Sequence, residues 1–309
     1  MTTPKLIIHG GASSLEDKGG LIQVRQSLHS VVKEVYELLQ GGKSAVEAVI
    51  RGCELLEDDP KFNAGTGSVL QSDGQVRMSA SLMDGDRQRF SGVINVSRIK
   101  NPIHITKFLQ EQDDRTLSDL GAAELARELQ IPIYDPRIDF RLEEWISERK
   151  DNFQRKMARL YAGSNEARRG TIGVVALDSE GKIAAGTSTG GKGLERIGRV
   201  SDSATVAGNY ATQYAGVSCT GVGEDIVEEA LASRIVVRVT DGISLPEAMK
   251  RSIKESSENK RDLAAISLDA SGAIAWGKTC EILLAAYHTG VAIGDTLEWT
   301  SDELMGYVA

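Results

Sequence analysis

Residues 170–191 read GTIGVVALDSEGKIAAGTSTGG, and the reading of the fold turns on this stretch. TIGVVALD and GKIAAGTST are short runs of apolar, β-branched and small residues, and Glu180-Gly181 between them is a turn signal. The stretch is therefore expected to be strand, turn, strand and then a glycine-rich loop. Upstream, residues 134–170 are dense in charge (Glu143, Glu144, Arg149, Lys150, Arg155, Lys156, Arg168, Arg169) and poor in β-branched residues. That texture fits a solvated helix followed by a flexible linker over residues 150–170. The linker meets a buried strand in a single step, at Gly170-Thr171.

Working outward, KLIIHGGA (5–12) reads as a buried strand entering a tight glycine turn. Residues 21–39 place Leu21, Val24, Leu28, Val31, Val32, Val35 and Leu38 at helical spacing, and Gly41-Gly42 stops them. Ser44 with Glu47 three residues later has the capping-box pattern of a second helix. In FNAGTGSVLQSDGQVRMSASLMDG (62–85) two strand-like runs flank Asp73-Gly74, a hairpin signal, and a further strand is expected over 92–96. Helices are expected over 102–110, 117–129, 224–239 and 244–255, and strands over 205–210 and 216–220. A last hairpin turns at Ser271-Gly272, between 263–268 and 274–276. Strand clusters segregated from helix pairs predict a layered α+β fold rather than regular βαβ alternation.

The chain has 309 residues and a formal net charge of −8, with 26% charged and 41% hydrophobic residues. This is the profile of a folded chain with a substantial core. The acidic balance argues against a nucleic-acid partner, and no run approaches the ~18 apolar residues of a membrane span. Cys53, Cys219 and Cys280 are odd in number and widely spaced, as expected of reduced thiols in a cytoplasmic protein. His9, His29, His104 and His288 offer no metal-binding pair.

Three local candidates carry chemistry. Residues 186–192, GTSTGGK, approach a phosphate loop, but Gly193 stands where a Ser or Thr would bind Mg²⁺. Cys219, in VSCTG, reads as a buried small residue. Thr171 is a different matter if the chain is cut before it. The residue then carries a hydroxyl nucleophile and a free α-amine of pKa about 7.7–8.0, which can take the hydroxyl proton as its own general base. No histidine is needed.

GTIGVVALD, TSTGG, GRVSD and SCTGVGE, in this order, together with HGGA, FNAGTGSVL and ASLMDG upstream, resemble the plant-type asparaginase/isoaspartyl aminopeptidase family of N-terminal-nucleophile hydrolases. The resemblance runs from His9 to about His288. It implies a four-layer αββα sandwich in one domain over 1–309, with an α chain (1–170) and a β chain (171–309) released by autocleavage of the Gly170–Thr171 bond. It implies that Thr171 is the nucleophile, that Thr189 orients it, and that Thr220 and the Gly221 backbone form the oxyanion hole. Arg199 is expected to pair with the substrate α-carboxylate, Asp202 with the α-ammonium, and Gly223 to let backbone approach. Asn63 is expected on the oxyanion or leaving-group side. Main-chain carbonyls of Leu56, Glu57, Asp59, Phe62, Ala64 and Thr66 match those that hold a structural sodium in the family. No cofactor is implied for the chemistry, and activation by potassium is left open.

The implied reaction is hydrolysis of β-aspartyl dipeptides and L-asparagine through a β-aspartyl enzyme, by an (αβ)₂ dimer of identical units. A glycosylasparaginase-like amidase and a non-catalytic amino-acid or nucleotide-binding protein are the alternative readings. Arg199 and Asp202 at i, i+3 also fit an ordinary surface pair. The chain departs from the family pattern at Ser79, Ser201 and Asn209, where Asp, Gly and a small residue are usual. Gly10, Gly11, Gly65, Gly67, Gly190, Gly191, Gly221 and Gly223 are expected to crowd around the site.

Overall fold

The computed structural model describes residues 2–12, 15, 18–150, 170–299 and 303–309. The expected linker at 150–170 lies outside these residues except at its two ends. The first half contains β1 (Lys5–His9), α1 (Leu21–Gln40), α2 (Ala45–Asp58), β2 (Met78–Asp84) and β3 (Arg89–Val96). It continues with α3 (Ile103–Leu109), β4 (Thr116–Ser118), α4 (Asp119–Glu128) and α5 (Asp139–Lys150). The second half opens with β5 (Ile172–Leu177), β6 (Ile183–Thr189), β7 (Asn209–Ala211) and β8 (Ala215–Gly221). Three helices follow, α6 (Gly223–Glu229), α7 (Leu231–Thr240) and α8 (Leu245–Glu258). The chain ends with β9 (Leu263–Asp269), β10 (Ile274–Lys278), β11 (Ala285–His288), β12 (Ile293–Asp295) and β13 (Met305–Val308).

Among the described residues the strands form two sheets. One has the order β12-β11-β1-β5-β6-β2-β3-β4 and the other β13-β10-β9-β8-β7. Strand alternation sorts their side chains into layers. Leu6 and Ile8 of β1 and Ile172, Val174 and Ala176 of β5 face α1 and α2. Ile7, Val175 and Leu177 point the other way, onto Ala264, Ile266 and Leu268 of β9. Val217, Cys219, Leu263 and Ala265 cover the far face of the second sheet beneath α7 and α8. The order is helix, sheet, sheet, helix, which is the expected αββα sandwich. Each fully buried Val, Leu or Ile in these layers contributes ~1.5–3 kcal/mol.

Local signals explain several elements. The α1 stripe Val24, Leu28, Val31, Val32, Val35 and Leu39 is buried at three- and four-residue spacing. Ser44 caps α2: its Oγ accepts from the Glu47 N–H at 3.3 Å and the Glu47 carboxylate accepts from the Ser44 N–H at 3.0 Å. The β5–β6 turn is held by Asp178, whose Oδ1 accepts from the N–H groups of Glu180 and Lys182 at 3.0 and 2.9 Å, with Gly181 at φ +82°. The other oxygen of Asp178 accepts from the Ala45 N–H at 2.9 Å, joining this hairpin to the start of α2.

Elsewhere the structure corrects the sequence reading. The Asp73-Gly74 turn exists, with the Gly74 N–H on Gln71 O at 2.9 Å, but no strands flank it. Residues 70–72 are drawn instead to the loop after β6, through Leu194 N–H on Leu70 O and Ser72 N–H on Glu195 O. The hairpin lies one step later, as β2–β3. The helix expected over 224–239 is broken at Ala230, which adopts a left-handed backbone at φ +46°. Just beyond it the Ala232 N–H donates to Ala207 O. Residues 205–208 form a turn, so the expected strand there shrinks to β7.

Candidate active site

Ile172 pairs with Ser188 in the β5–β6 register, so one step back Thr171 faces Thr189. Alternation sends Thr171, Thr187 and Thr189 to the same inner face as Val175. From the second sheet, Thr220 stands opposite Ala264 and Ser218 opposite Ile266, so both point inward as well. At this end of the inter-sheet layer hydroxyls replace the aliphatic side chains. The Thr171 hydroxyl donates to Thr189 Oγ1 at 3.1 Å, and the Thr171 N–H donates to Thr220 Oγ1 at 3.3 Å. Thr189 Oγ1 also accepts from the Gly191 N–H at 3.1 Å. Both functional atoms of Thr171, hydroxyl and nitrogen, are thus each held by another threonine.

The bond before Thr171 is pressed against the end of β1. A Cβ on Gly11 (φ +110°) would lie 2.4 Å from Gly170 Cα, and one on Gly170 would lie 2.5 Å from Gly11 Cα. Only glycine at both positions permits this approach. Behind it, His9 Nε2 lies 3.0 Å from Ser218 Oγ, which lies 2.7 Å from Thr187 Oγ1. Burial pushes the imidazole down to about 3, so His9 is neutral and acts through its hydrogen bonds. Gly173 makes room for this chain, because a Cβ there would sit 1.9 Å from Ser218 Oγ.

Arg199 and Asp202 come together around Gly223. A Cβ on Gly223 would lie 2.5 Å from Arg199 Nη2 and 2.7 Å from Asp202 Oδ1, so any larger residue would fill the space between the two charges. Asp202 is buried; Ser201 Oγ donates to its Oδ1 at 3.2 Å, while Oδ2 has no hydrogen-bond partner among the described residues. Burial raises its carboxyl to about 6, against the opposing pull of the Arg199 charge. An acceptor held in this way is suited to an incoming ammonium group.

One member of this group was not read from the sequence. Glu224, at the start of α6, takes Arg199 in a two-pronged pair, Nε to Oε1 and Nη2 to Oε2, both at 3.0 Å. Burial opposes its ionisation, but the Arg199 fork holds the carboxyl down at about 2. Glu224 stands inside the quoted SCTGVGE motif, yet its role shows only when α6 meets the 190–201 loop.

Asn63 clamps the glycine loop. Its Nδ2 donates to Gly191 O at 2.7 Å, its Oδ1 accepts from the Val69 N–H at 3.0 Å, and its own C=O accepts from the Gly190 N–H at 2.9 Å. Gly190 is needed because a Cβ there would meet Asn63 Oδ1 at 2.5 Å. Gly221 (φ +130°) lets β8 end against β9, where a Cβ would lie 2.6 Å from Asp262 O. Gly65 and Gly67, expected at the site, serve the preceding loop instead: their Cβ atoms would strike Glu57 O at 2.3 Å and Pro60 O at 2.5 Å.

The loop holding Leu56, Glu57, Asp59, Phe62, Ala64 and Thr66 starts in the last turn of α2, which carries no basic residue. The carbonyls there form the negative end of the helix dipole, a setting that fits a monovalent cation held by main-chain oxygens. Glu57 O and Asp59 O also accept from the Thr66 and Phe62 N–H groups at 2.8 and 3.1 Å, closing the loop. Among the described residues no group of His, Cys, Asp and Glu is arranged to hold a metal.

The unusual residues Ser201 and Asn209 have nearby polar partners. Ser201 Oγ accepts from the Ser203 N–H at 3.3 Å, and Asn209 Nδ2 donates to Ser81 Oγ at 2.9 Å. The phosphate-loop resemblance of 186–192 loses its footing, because no helix follows and Gly191 lies against the buried Glu195 carboxyl. Cys219 points to the outer face of its sheet, and burial pushes its thiol well up, away from the nucleophilic form.

The family described as Asparaginase matches residues 2–298. An isoaspartyl peptidase/L-asparaginase of Synechocystis sp. is 71% identical over 307 residues, 98% of this chain and 93% of that protein. One of the same name from Nostoc sp. is 66% identical over 312 residues, 99% of this chain and 98% of that protein. A plant-type L-asparaginase of Pyrococcus horikoshii is 35% identical over 292 residues, 91% of this chain and 95% of that protein. With a family match across nearly its whole length and relatives this similar, the chain belongs to the asparaginase family.

Proposed function

We propose that the chain cuts itself at Gly170–Thr171 and then hydrolyses isoaspartyl peptides and L-asparagine. The observation that carries this reading is Thr171 itself, with its hydroxyl on Thr189 and its nitrogen on Thr220. In the uncut chain that nitrogen is an amide and cannot serve as a base. Self-cleavage begins when Thr171 Oγ adds to the Gly170 carbonyl carbon. The C–N bond then breaks to leave an ester and a free amine, and water hydrolyses the ester.

In the cut enzyme the Thr171 hydroxyl proton passes to its own α-amine as Oγ attacks the side-chain carbonyl carbon of the substrate. Thr220 and the Gly221 backbone stabilise the oxyanion. The ammonium returns its proton to the leaving nitrogen, so ammonia or an amino acid departs and a β-aspartyl ester remains. Water, activated by the same amine, releases L-aspartate. Arg199 holds the α-carboxylate and Asp202 the α-ammonium. These two groups are common to asparagine and isoaspartyl substrates, so one site serves both.

The same reading places a structural sodium on the carbonyls of Leu56, Glu57, Asp59, Phe62, Ala64 and Thr66, an (αβ)₂ assembly, and a cytoplasmic enzyme without nucleic-acid or membrane partners. Among the described residues no helix is long and apolar enough to cross a membrane. Potassium dependence is measured by titrating KCl against NaCl. The decisive kinetic comparison sets L-Asn and β-Asp-Leu against a glycosylated asparagine. Release of aspartate from the first two supports this reading, and turnover of the glycosylated asparagine alone assigns a glycosylasparaginase instead.

A further inference from the structure

Asn95 lies inside β3 and yet has a left-handed backbone, φ +56°. The register gives the reason. Met78 pairs with Val96 and Ala80 with Val93, so Ser79 alone faces both Ile94 and Asn95. This is a bulge on β3, and such bulges commonly fill their left-handed position with Gly. Asn tolerates the conformation less freely than Gly. What Asn adds is its amide, and the amide is engaged. Asn95 is buried, its Nδ2 donates to the Arg199 backbone O at 3.0 Å, and its N–H donates to Ser79 Oγ at 3.2 Å. Its Oδ1 lies 3.5 Å from Gln71 Nε2, and Gln71 Oε1 accepts from Arg77 at 2.7 Å.

Both ends of this strut reach the site. Ser79 pairs with Thr189 in the β2–β6 register, and Thr189 holds the Thr171 hydroxyl. Arg199 sits in residues 190–201, which have neither helix nor strand, so no ladder fixes its main chain. Its guanidinium is shared with Glu224, which orients the fork but leaves the backbone to be held from below. Bulges beside active sites commonly re-aim a side chain in this manner.

We propose that Asn95, seated on Ser79, is a positioning residue for substrate binding: its amide fixes the Arg199 backbone where the guanidinium meets the substrate α-carboxylate. The proposal rests on the reading of Arg199 as the carboxylate-binding group. Asn95→Gly keeps the bulge and removes only the amide. Ser79→Ala removes the seat, and Ser79→Thr keeps its hydroxyl.

The test measures KM and kcat for L-Asn and the inhibition constant of L-aspartate, alongside Arg199→Ala. KM and the inhibition constant do not depend on the fraction of active enzyme, so a merely structural defect leaves them unmoved. The expected result is a rise of about five-fold in both for Asn95→Gly and Ser79→Ala, the size of one lost hydrogen bond. kcat stays near the parent value, as when only uniform binding is removed, and Ser79→Thr returns KM toward the parent value. Parent KM and inhibition constant in Asn95→Gly, beside raised values in Arg199→Ala, overturn the strut alone. Loss of kcat at constant KM in Asn95→Gly also overturns it. Parent values in Arg199→Ala overturn the reading of Arg199, and the strut falls with it.

Discussion

At one end of the inter-sheet layer Val175, Leu177, Ile183, Leu268 and Ile274 interlock without a polar atom among their side chains. At the other end β1, the start of β5, β6 and β8 bring His9, Thr171, Thr187, Thr189, Ser218 and Thr220 together, each in a hydrogen-bonded pair. The two ends are both buried and share β5 and β6. They differ in what each inward position costs and does. The apolar end gains from area removed from water. The hydroxyl end gains little in net stability, since each hydrogen bond replaces one to water. It gains fixed orientation instead, which a nucleophile needs.

The largest effect is expected at the hydroxyl end. Thr171→Ala removes both cleavage and turnover, with kcat down by about 10⁴-fold or more as for other nucleophile deletions. A denaturing gel and aspartate release measure it. At the apolar end Leu268→Ala should lower unfolding free energy by ~2–5 kcal/mol, the cost of a core cavity. The folded fraction keeps its kcat/KM, as thermal melts with active-site titration would show. If Leu268→Ala instead abolished turnover without loss of stability, the division between the two ends would be wrong.

A smaller effect belongs to the substrate charges. Asp202 must be ionised to hold an ammonium, and burial has raised it to about 6. KM for L-Asn should therefore rise as pH falls through about 6, while a change above that value reports the Thr171 amine. Asp202→Asn should raise KM about 30-fold or more (~2 kcal/mol for losing one partner of a buried charge pair) and flatten the acid limb. A KM limb unchanged in Asp202→Asn would remove Asp202 from the ammonium site. Smallest is Ser218→Ala, which leaves neutral His9 without its hydroxyl partner. It should cost ~1–3 kcal/mol of stability for an unsatisfied buried group, read from denaturant midpoints.

The legible parts of the molecule were those with local signals. Ser44 with Glu47, the α1 stripe and the Glu180-Gly181 turn carry their structure in neighbouring residues, and each appears where it was expected. The αββα layering followed from ordered motifs rather than from periodicity. What escaped depends on distant partners. The Asp73-Gly74 turn looked like a hairpin, but Leu194 and Glu195 capture the strand it was to start. The break at Ala230 has no Gly or Pro to announce it, because Ala207, outside the helix, helps decide it. Glu224 could be quoted as a motif letter but not as the partner of Arg199, since their pairing crosses two elements. Asn95 needed the register of β2 against β3 before its bulge existed at all.

The most direct test of the central claim is the intact mass of the purified protein before and after brief exposure to β-Asp-Leu, quenched in acid. The account predicts two fragments meeting at Gly170–Thr171, with the transient aspartyl adduct confined to the fragment that starts at Thr171. A single uncut 33.3 kDa chain that still releases aspartate, or an adduct on any other residue, contradicts it.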